Sequence, residues 1–257
     1  MERVVIIGSG NVATSLAHGL AAHDLVAQIY SRTLAHARTL AEAVGCPCFT
    51  DNLEDLIPDA DAYVIAVHDD AIADVIRAVP DNGALWVHTS GSKPISLFDG
   101  LRARCGVLWP MQSFSREMVV PLDEVHFFAE GNDPASLCDV IALGEVLSRH
   151  VTDADSDKRR LLHVASVFSC NFANHLWTLA DELLSAEGLP FEALLPLIRT
   201  TVDKLDRLAP IESQTGPAVR NDMQVIDSHL AMLDGDKREI YRLLTESIIR
   251  HHQENKK

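Results

Sequence analysis

Positive charge is scarce in this chain: 22 lysines and arginines stand against 37 aspartates and glutamates, a formal net charge of -15 over 257 residues. That balance argues against nonspecific nucleic-acid binding and against attraction to an anionic membrane surface, although a phosphate can still be bound locally. Long apolar runs are missing too. None approaches the roughly 18 residues that a membrane-spanning helix needs, and the opening MERVVIIGSG has neither a basic leader nor a cleavage site. A cytoplasmic protein with no membrane partner is expected. The five cysteines are scattered, and Cys46 and Cys48 in the CPC stretch have no second pair to complete a zinc site. Reduced structural thiols and no metal are therefore expected.

What is present is a core-forming composition, 47% apolar, enough for one large domain or two smaller ones. RVVIIG, LVAQIYS, DAYVIAV, ALWVHTS, CGVLWP and VHFFAEG are short apolar runs with the look of buried strands, and helical segments lie between several of them. This alternation predicts an open, doubly wound α/β sheet of the Rossmann type. The helix PASLCDVIALGEVLSRH closes it, and VTDADSDKRR introduces a different texture. From about residue 157 only helical periodicity remains, broken at EGLP, LAPIESQTGP and LDGD. The division expected is 1–152 for a dinucleotide-binding domain and 153–257 for a helical substrate-site and dimerisation domain, whose polar tail HHQENKK frays.

VVIIGSGNVATSLA carries the sharpest signal. Gly8 and Gly10 fall in a turn directly after a buried strand, Ala13 holds the third small position, and a helix follows. Gly8 permits the turn, and Gly10 lets the backbone approach a pyrophosphate. The exposed helix N-terminus, with Ser9, Asn11 and Val12 around it, faces the negative charge. A ligand-free structural turn would use similar residues. The end of the second strand then separates two cofactors. An NAD site offers a carboxylate there for the ribose hydroxyls, but this chain reads IYSRT. Ser31 and Thr33 can donate to a 2'-phosphate and Arg32 can pair with it, so NADP is the expected cofactor; the alternative is Arg32 as a solvated surface residue.

Later loops should open onto the same cleft. AVHDDAI places His68 there, with Asp69 or Asp70 either capping the next helix or touching ligand. WVHTSGSK brings His88, Thr89, Ser90 and Gly91 near the expected nicotinamide end. In LWPMQSFS, Gln112 and Ser113 are candidate substrate donors, and Trp109 and Met111 a candidate apolar wall. Farther on, LLHVASVFSCNFANHLW sets Leu161, Ala165, Phe168, Phe172 and Leu176 in one apolar stripe with polar residues among them. At about 100° per residue, His163, Cys170 and Asn174 fall within a narrow arc and Asn171 about 80° away. His163 is a candidate proton donor, with His88 next, and Asn171 and Asn174 are candidate neutral orienting groups; a satisfied core histidine is the competing account. Arg220, in TGPAVRND, either clamps a substrate carboxylate or bonds Asp222 as helix-start scaffolding.

Taken in order, VVIIGSGNVATSLA, VHTSG, WPMQSF, LLHVASVFSCNFANHL and TGPAVRNDMQVIDSHL resemble a bacterial family of two-domain proteins with a Rossmann-like NADP-binding N-terminal domain and a helical C-terminal domain of unassigned function. The chain is more distantly similar to pyrroline-5-carboxylate reductase, ketopantoate reductase and the β-hydroxyacid dehydrogenases, and its helical part resembles the C-terminal fold of 6-phosphogluconate dehydrogenase. The resemblance implies NADP-dependent hydride transfer to or from a small polar carbonyl or imine compound, in a homodimer built largely by the helices, with the active cleft between the domains. One departure stands out. The lysine and asparagine that β-hydroxyacid dehydrogenases place one helical turn apart correspond here to Val167 and Asn171, so the lysine is missing. The rival class is a nonenzymatic NADP-responsive binding or regulatory protein.

Overall fold

The computed structural model describes residues 1–115 and 119–254. Its strands are β1 (Val4–Ile7), β2 (Val26–Tyr30), β3 (Phe49–Thr50), β4 (Ala62–Ile65), β5 (Leu85–His88), β6 (Cys105–Pro110), β7 (Phe127–Gly131) and β8 (Val151–Asp153). They form one sheet in the order β3-β2-β1-β4-β5-β6-β7-β8. Pairing is parallel from β3 through β6, antiparallel between β6 and β7, and parallel again between β7 and β8. The chain order reverses beside β1, where strands leave on both sides, and this is where open α/β sheets bind ligands.

The near-continuous apolar runs are explained by burial on both faces. Val4, Ile6, Val64 and Val87 face α1 (Asn11–Ala21), α2 (Leu34–Val44) and, through Val140 and Leu143, α4 (Pro134–Leu147). The alternating residues Val5, Ile7, Tyr63, Ile65 and Trp86 face α3 (Ile72–Ala78) and Phe98. Two short strands escape the pattern: β3 has two residues, and β8 lies within VTDADSDKRR, too short to show a period.

The chain divides into two compact units, Met1–Asn171 and Phe172–Lys257, whereas the change in composition comes earlier, at 152/153. The helix α5 (Ser156–Ser166) groups with the sheet. It continues into a π-helical segment, Val167–Phe172, and then α6 (Ala173–Ala186). The Ser166 and Ser169 hydroxyls donate to the carbonyls of His163 and Ser166 at the entry to this segment, competing with the regular ladder. The constant 100° step used to group His163, Cys170 and Asn174 therefore does not hold across 167–172. Nor is the apolar stripe a dry core: Leu161 is 72% exposed and Phe168 67%, and Phe172 and Leu176 are also exposed.

The second unit contains α6, α7 (Leu195–Asp203), α8 (Pro210–Ser213), α9 (Met223–Met232) and α10 (Gly235–Glu254). Lys237 pairs with Glu182 across it, and His229 bonds the Tyr241 hydroxyl at 2.8 Å. Among its described residues only Ala218, Ile226 and Thr245 are buried. The tail expected to fray instead continues α10 through Glu254; 255–257 lie outside the described residues. No helix among the described residues is long and apolar enough to cross a membrane.

Candidate active site

The cleft begins at the β1–α1 turn. Gly8 has φ +136°, and a Cβ there would lie 2.1 Å from the Ala66 carbonyl oxygen, so only glycine fits. Gly10 differs: a Cβ would meet nothing within 4 Å, which leaves the backbone open to an approaching group. Gly10 is also the N-cap of α1, no side chain caps the helix, and its first turn has no acidic residue. Its leading N–H groups and positive dipole end are thus available to a phosphate.

Around this turn lies a cleft of about 1100 Å³, slightly above the roughly 300–1,000 Å³ usual for ligand sites. Its lining includes all ten residues expected to bind cofactor: Gly8, Ser9, Gly10, Asn11, Val12, Ser31, Arg32, Thr33, His68 and Ser90. On the β2 side, the Ser9 and Ser31 hydroxyls are bonded at 2.8 Å. Thr33 is the N-cap of α2 but its hydroxyl makes no cap bond, and Arg32 is exposed with no carboxylate partner among the described residues. His36, in the first turn of α2, joins this lining. The set of hydroxyls, a guanidinium and an imidazole, with no carboxylate at the strand end, fits the 2'-phosphate of NADP. Leu53, Ala71, Val75 and Ala78 add apolar lining on which an adenine can rest.

The other side of β1 carries the loops after β4, β5 and β6. The Asn11 amide donates to the Phe114 carbonyl at 2.9 Å, tying the glycine turn to the segment after β6, where Gln112 also lines the cleft. Gln112 Oε1 accepts from the Ser113 N–H at 2.7 Å, and Ser113 itself is exposed and outside the cleft lining. Asp69 and Asp70 do not cap the helix that follows them. Asp69 accepts from the Ser92 hydroxyl at 2.5 Å and Asp70 pairs with Lys93 at 3.6 Å, because both carboxylates face the loop after β5. Thr89 and Ser90 from that loop line the cleft.

The residues expected to act in proton transfer lie elsewhere. His88 is fully buried and outside the cleft lining. Its Nδ1 accepts from the Ser90 N–H at 3.2 Å, its Nε2 lies 3.4 Å from the Pro94 carbonyl, and its ring stacks on Phe98. Burial, and secondly the Arg159 charge, lower its pKa to about 4. With both ring nitrogens engaged and the neutral form favoured, His88 is fitted to hold the loop and not to donate a proton. His163, half-buried on α5, meets the ring of Trp109 edge-on, with centroids 5.9 Å apart. Trp109 in turn packs against Gly91, where a Cβ would lie 2.5 Å from the indole. His163 is therefore two contacts from Ser90, not in the cleft wall itself. Trp109 and Met111 do form an apolar cluster, with Phe128, Ala154 and Leu162.

Asn171 is exposed at the end of the first unit, and Asn174 is exposed on α6. Arg220 is exposed in the second unit and makes no ion pair with Asp222, which instead caps α9 by accepting from the Val225 N–H at 3.3 Å. Among the described residues no Arg220–Asp222 bond is formed, and the helix-start role falls to Asp222. No group of histidine, cysteine, aspartate or glutamate side chains among the described residues is arranged to hold a metal.

Comparison with known families matches residues 3–89 to the NADP oxidoreductase, coenzyme F420-dependent family and residues 125–248 to a domain of unknown function. Among solved structures, a Bacteroides fragilis protein described as a "putative NADP oxidoreductase" is 40% identical, with 97% of this chain and 98% of that chain covered and a TM-score of 0.89. A reductive aminase from Aspergillus terreus, in complex with NADPH and ethyl-5-oxohexanoate, shares the fold at 16% identity, 98% and 94% coverage and a TM-score of 0.76. An imine reductase from Myxococcus stipitatus, in complex with NADP+, does so at 18% identity, 98% and 93% coverage and a TM-score of 0.65. A comparison with curated protein sequences gave no match.

Proposed function

From the premise that the chain belongs to the family of two-domain NADP oxidoreductases typified by the Bacteroides fragilis protein, we propose that it reduces a small polar carbonyl or imine compound. The observation that carries this reading is the cleft at the β1–α1 turn, with its uncapped helix terminus and its Ser31–Arg32–Thr33–His36 cluster. The substrate class draws on the reductive aminase and imine reductase that share the fold. NADPH, when bound, supplies the hydride.

The protein's part is to bind, orient and supply a proton. Ser31, Arg32, Thr33 and His36 hold the 2'-phosphate, and the N–H groups of Asn11 and Val12 face the pyrophosphate. Thr89, Ser90 and Gln112, which line the cleft on the other side of β1, would hold the nicotinamide half. Hydride addition to the electrophilic carbon would send the C=O or C=N π pair to the heteroatom, and we assign the proton that neutralises it to His163, which lies behind Trp109 outside the cleft wall and so would deliver it through an intervening water. Asn171, Asn174 and Arg220 are the polar groups of the helical segment that we assign to substrate orientation. A turnover screen tests the reading: NADPH oxidation with panels of small ketones, and of ketones plus amines, should exceed the substrate-free rate. Tight NADPH binding without turnover on any panel would favour an NADP-responsive regulator.

We further propose a homodimer formed by the helical segment, in the cytoplasm, with no nucleic-acid partner. Support comes from the exposure of Leu197, Met232 and Leu243 in the second unit, among whose described residues only three are buried, few for a unit that must hold a core of its own. The net charge of -15 disfavours polyanion binding.

A further inference from the structure

Arg159 is a charged side chain that the reaction does not use, yet it is fully buried. Burying a guanidinium is costly unless its donors find partners; Nε finds none among the described residues, and the partners of the two Nη groups come from three parts of the sheet unit. Nη1 pairs with the Glu130 carboxylate at the end of β7 and lies 3.4 Å from the Ala154 carbonyl. Nη2 donates to the Lys93 carbonyl at 2.9 Å and to the Ser156 hydroxyl oxygen at 3.3 Å. Ser156 completes the knot: its hydroxyl donates to Glu130 at 2.8 Å, and its oxygen accepts the Ile95 N–H at 3.1 Å. Thus the first turn of α5 grips the loop after β5 at Lys93 and Ile95.

That loop also forms the cleft wall. The Ser90 hydroxyl oxygen accepts the N–H groups of Ser92, at 3.2 Å, and Lys93, at 3.1 Å. Lys93 is therefore the single residue between Arg159, which holds its carbonyl, and Ser90, which holds its N–H. The far end of the loop is fastened separately, by Ser92 to Asp69 and by the Thr89 N–H to the Ile65 carbonyl at 3.2 Å. A hydrophobic residue at 159 would fill the space but could not hold Lys93, and a lysine lacks the planar fork that reaches a carboxylate and a carbonyl together.

We propose that Arg159, with Ser156, is a positioning residue that sets Thr89 and Ser90 against the nicotinamide half of the cofactor. The inference rests on the NADPH-binding reading above. The same guanidinium helps keep His88 neutral, which preserves Nδ1 as the acceptor for the Ser90 N–H, so charge and geometry act on the loop in the same sense.

The test compares NADPH with 2',5'-ADP, which carries the adenine and 2'-phosphate but no nicotinamide. Calorimetric affinities are measured on the full chain and on Arg159→Met, Arg159→Lys and Ser156→Ala. Arg159→Met should weaken NADPH about tenfold, as expected for one lost well-placed hydrogen bond, while leaving 2',5'-ADP within about twofold. Arg159→Lys should not restore NADPH affinity, and Ser156→Ala should show the same selective loss at about threefold. A merely structural arginine would lower thermal stability while leaving the ratio of the two affinities unchanged in the folded protein, and that result overturns the proposal, as does equal weakening of both ligands. If Arg159→Met does not fold, Ser156→Ala decides by the same ratio. A parent protein that binds neither ligand overturns the cofactor reading and this inference with it, whereas binding with an unaltered ratio overturns the inference alone.

Discussion

His88 should make the sheet unit sensitive to acid between the ordinary midpoint of a histidine and its own lowered one. Its ordinary pKa of 6.5 falls to about 4 in the folded protein, a difference worth about 3 kcal/mol between the two protonation states. Because the folded value is the lower one, the unfolded chain takes up the proton first as pH drops. Stability from this source is complete above about pH 6.5, is reduced by roughly 2 kcal/mol at pH 5, and is lost fully only below about pH 4. The perturbation is His88→Asn, which keeps an acceptor near the Ser90 N–H but does not titrate. It should be less stable than the parent at pH 7, since the stack on Phe98 and the contact to Pro94 are lost, and the gap should narrow by about 2 kcal/mol at pH 5. Urea unfolding at both pH values, in a Trp177→Phe background, confines tryptophan emission to Trp86 and Trp109 and so to the sheet unit. An NMR titration of the His88 ring gives the folded midpoint directly. A midpoint near 6.5, or parallel stability profiles for parent and variant, would refute the reasoning.

The two glycines of the turn should fail differently. Gly8→Ala drives a Cβ into the Ala66 carbonyl at positive φ and should cost about 2–4 kcal/mol of stability in thermal or urea unfolding, whereas Gly10→Ala should fold normally and lose NADPH affinity at least about tenfold by calorimetry. NADPH should bind more tightly than NADH, and Arg32→Ala should erase about tenfold of that preference, the loss of one charge-assisted contact; equal affinities for both cofactors in the parent would exclude 2'-phosphate recognition. His163→Gln should retain NADPH affinity but slow single-turnover reduction on the order of 10²-fold once a substrate is in hand, and an unchanged rate in folded, cofactor-bound protein removes His163 from the reaction. Light scattering should report twice the chain mass, and Leu161→Asp, placing a charge on a residue 72% exposed in the single chain, should shift that mass toward the monomer.

The cofactor half was legible because its chemistry is local. Gly8, Gly10 and the YSRT stretch lie directly at the ends of strands whose period is plain, so a turn and a strand end define where each group goes. His36 was missed because it stands past the strand end, in the first turn of α2. The Arg159 knot could not be read, since its partners Glu130 and Lys93 are 29 and 66 residues away in sequence and nothing in the DSDKRR stretch distinguishes its buried arginine from Arg160 beside it. The π-helical segment was equally hidden. VFSCNF has no proline or glycine to announce a departure from the regular helix, and a wheel drawn at constant step passes through it. Asp69 and Asp70 stand where caps usually stand, but a hydroxyl and an ammonium from another loop outcompete the helix for them.

Met1–Asn171 encloses a large apolar cluster on each face of its sheet and a smaller one around Trp109, while among the described residues of Phe172–Lys257 only three side chains are buried. In the proposed dimer this asymmetry divides the chain into a half whose stability is intrinsic and a half whose stability follows mass action. Diluting the protein should leave the melting of the first half in place and draw the second half's transition down in temperature, so a single midpoint would describe neither. The same division gives the two halves different timetables at the ribosome. The first can close as soon as β8 and α5 have emerged, whereas the second must wait for another finished chain, and its leucines and methionines are open to chaperones and to aggregation for as long as that search lasts.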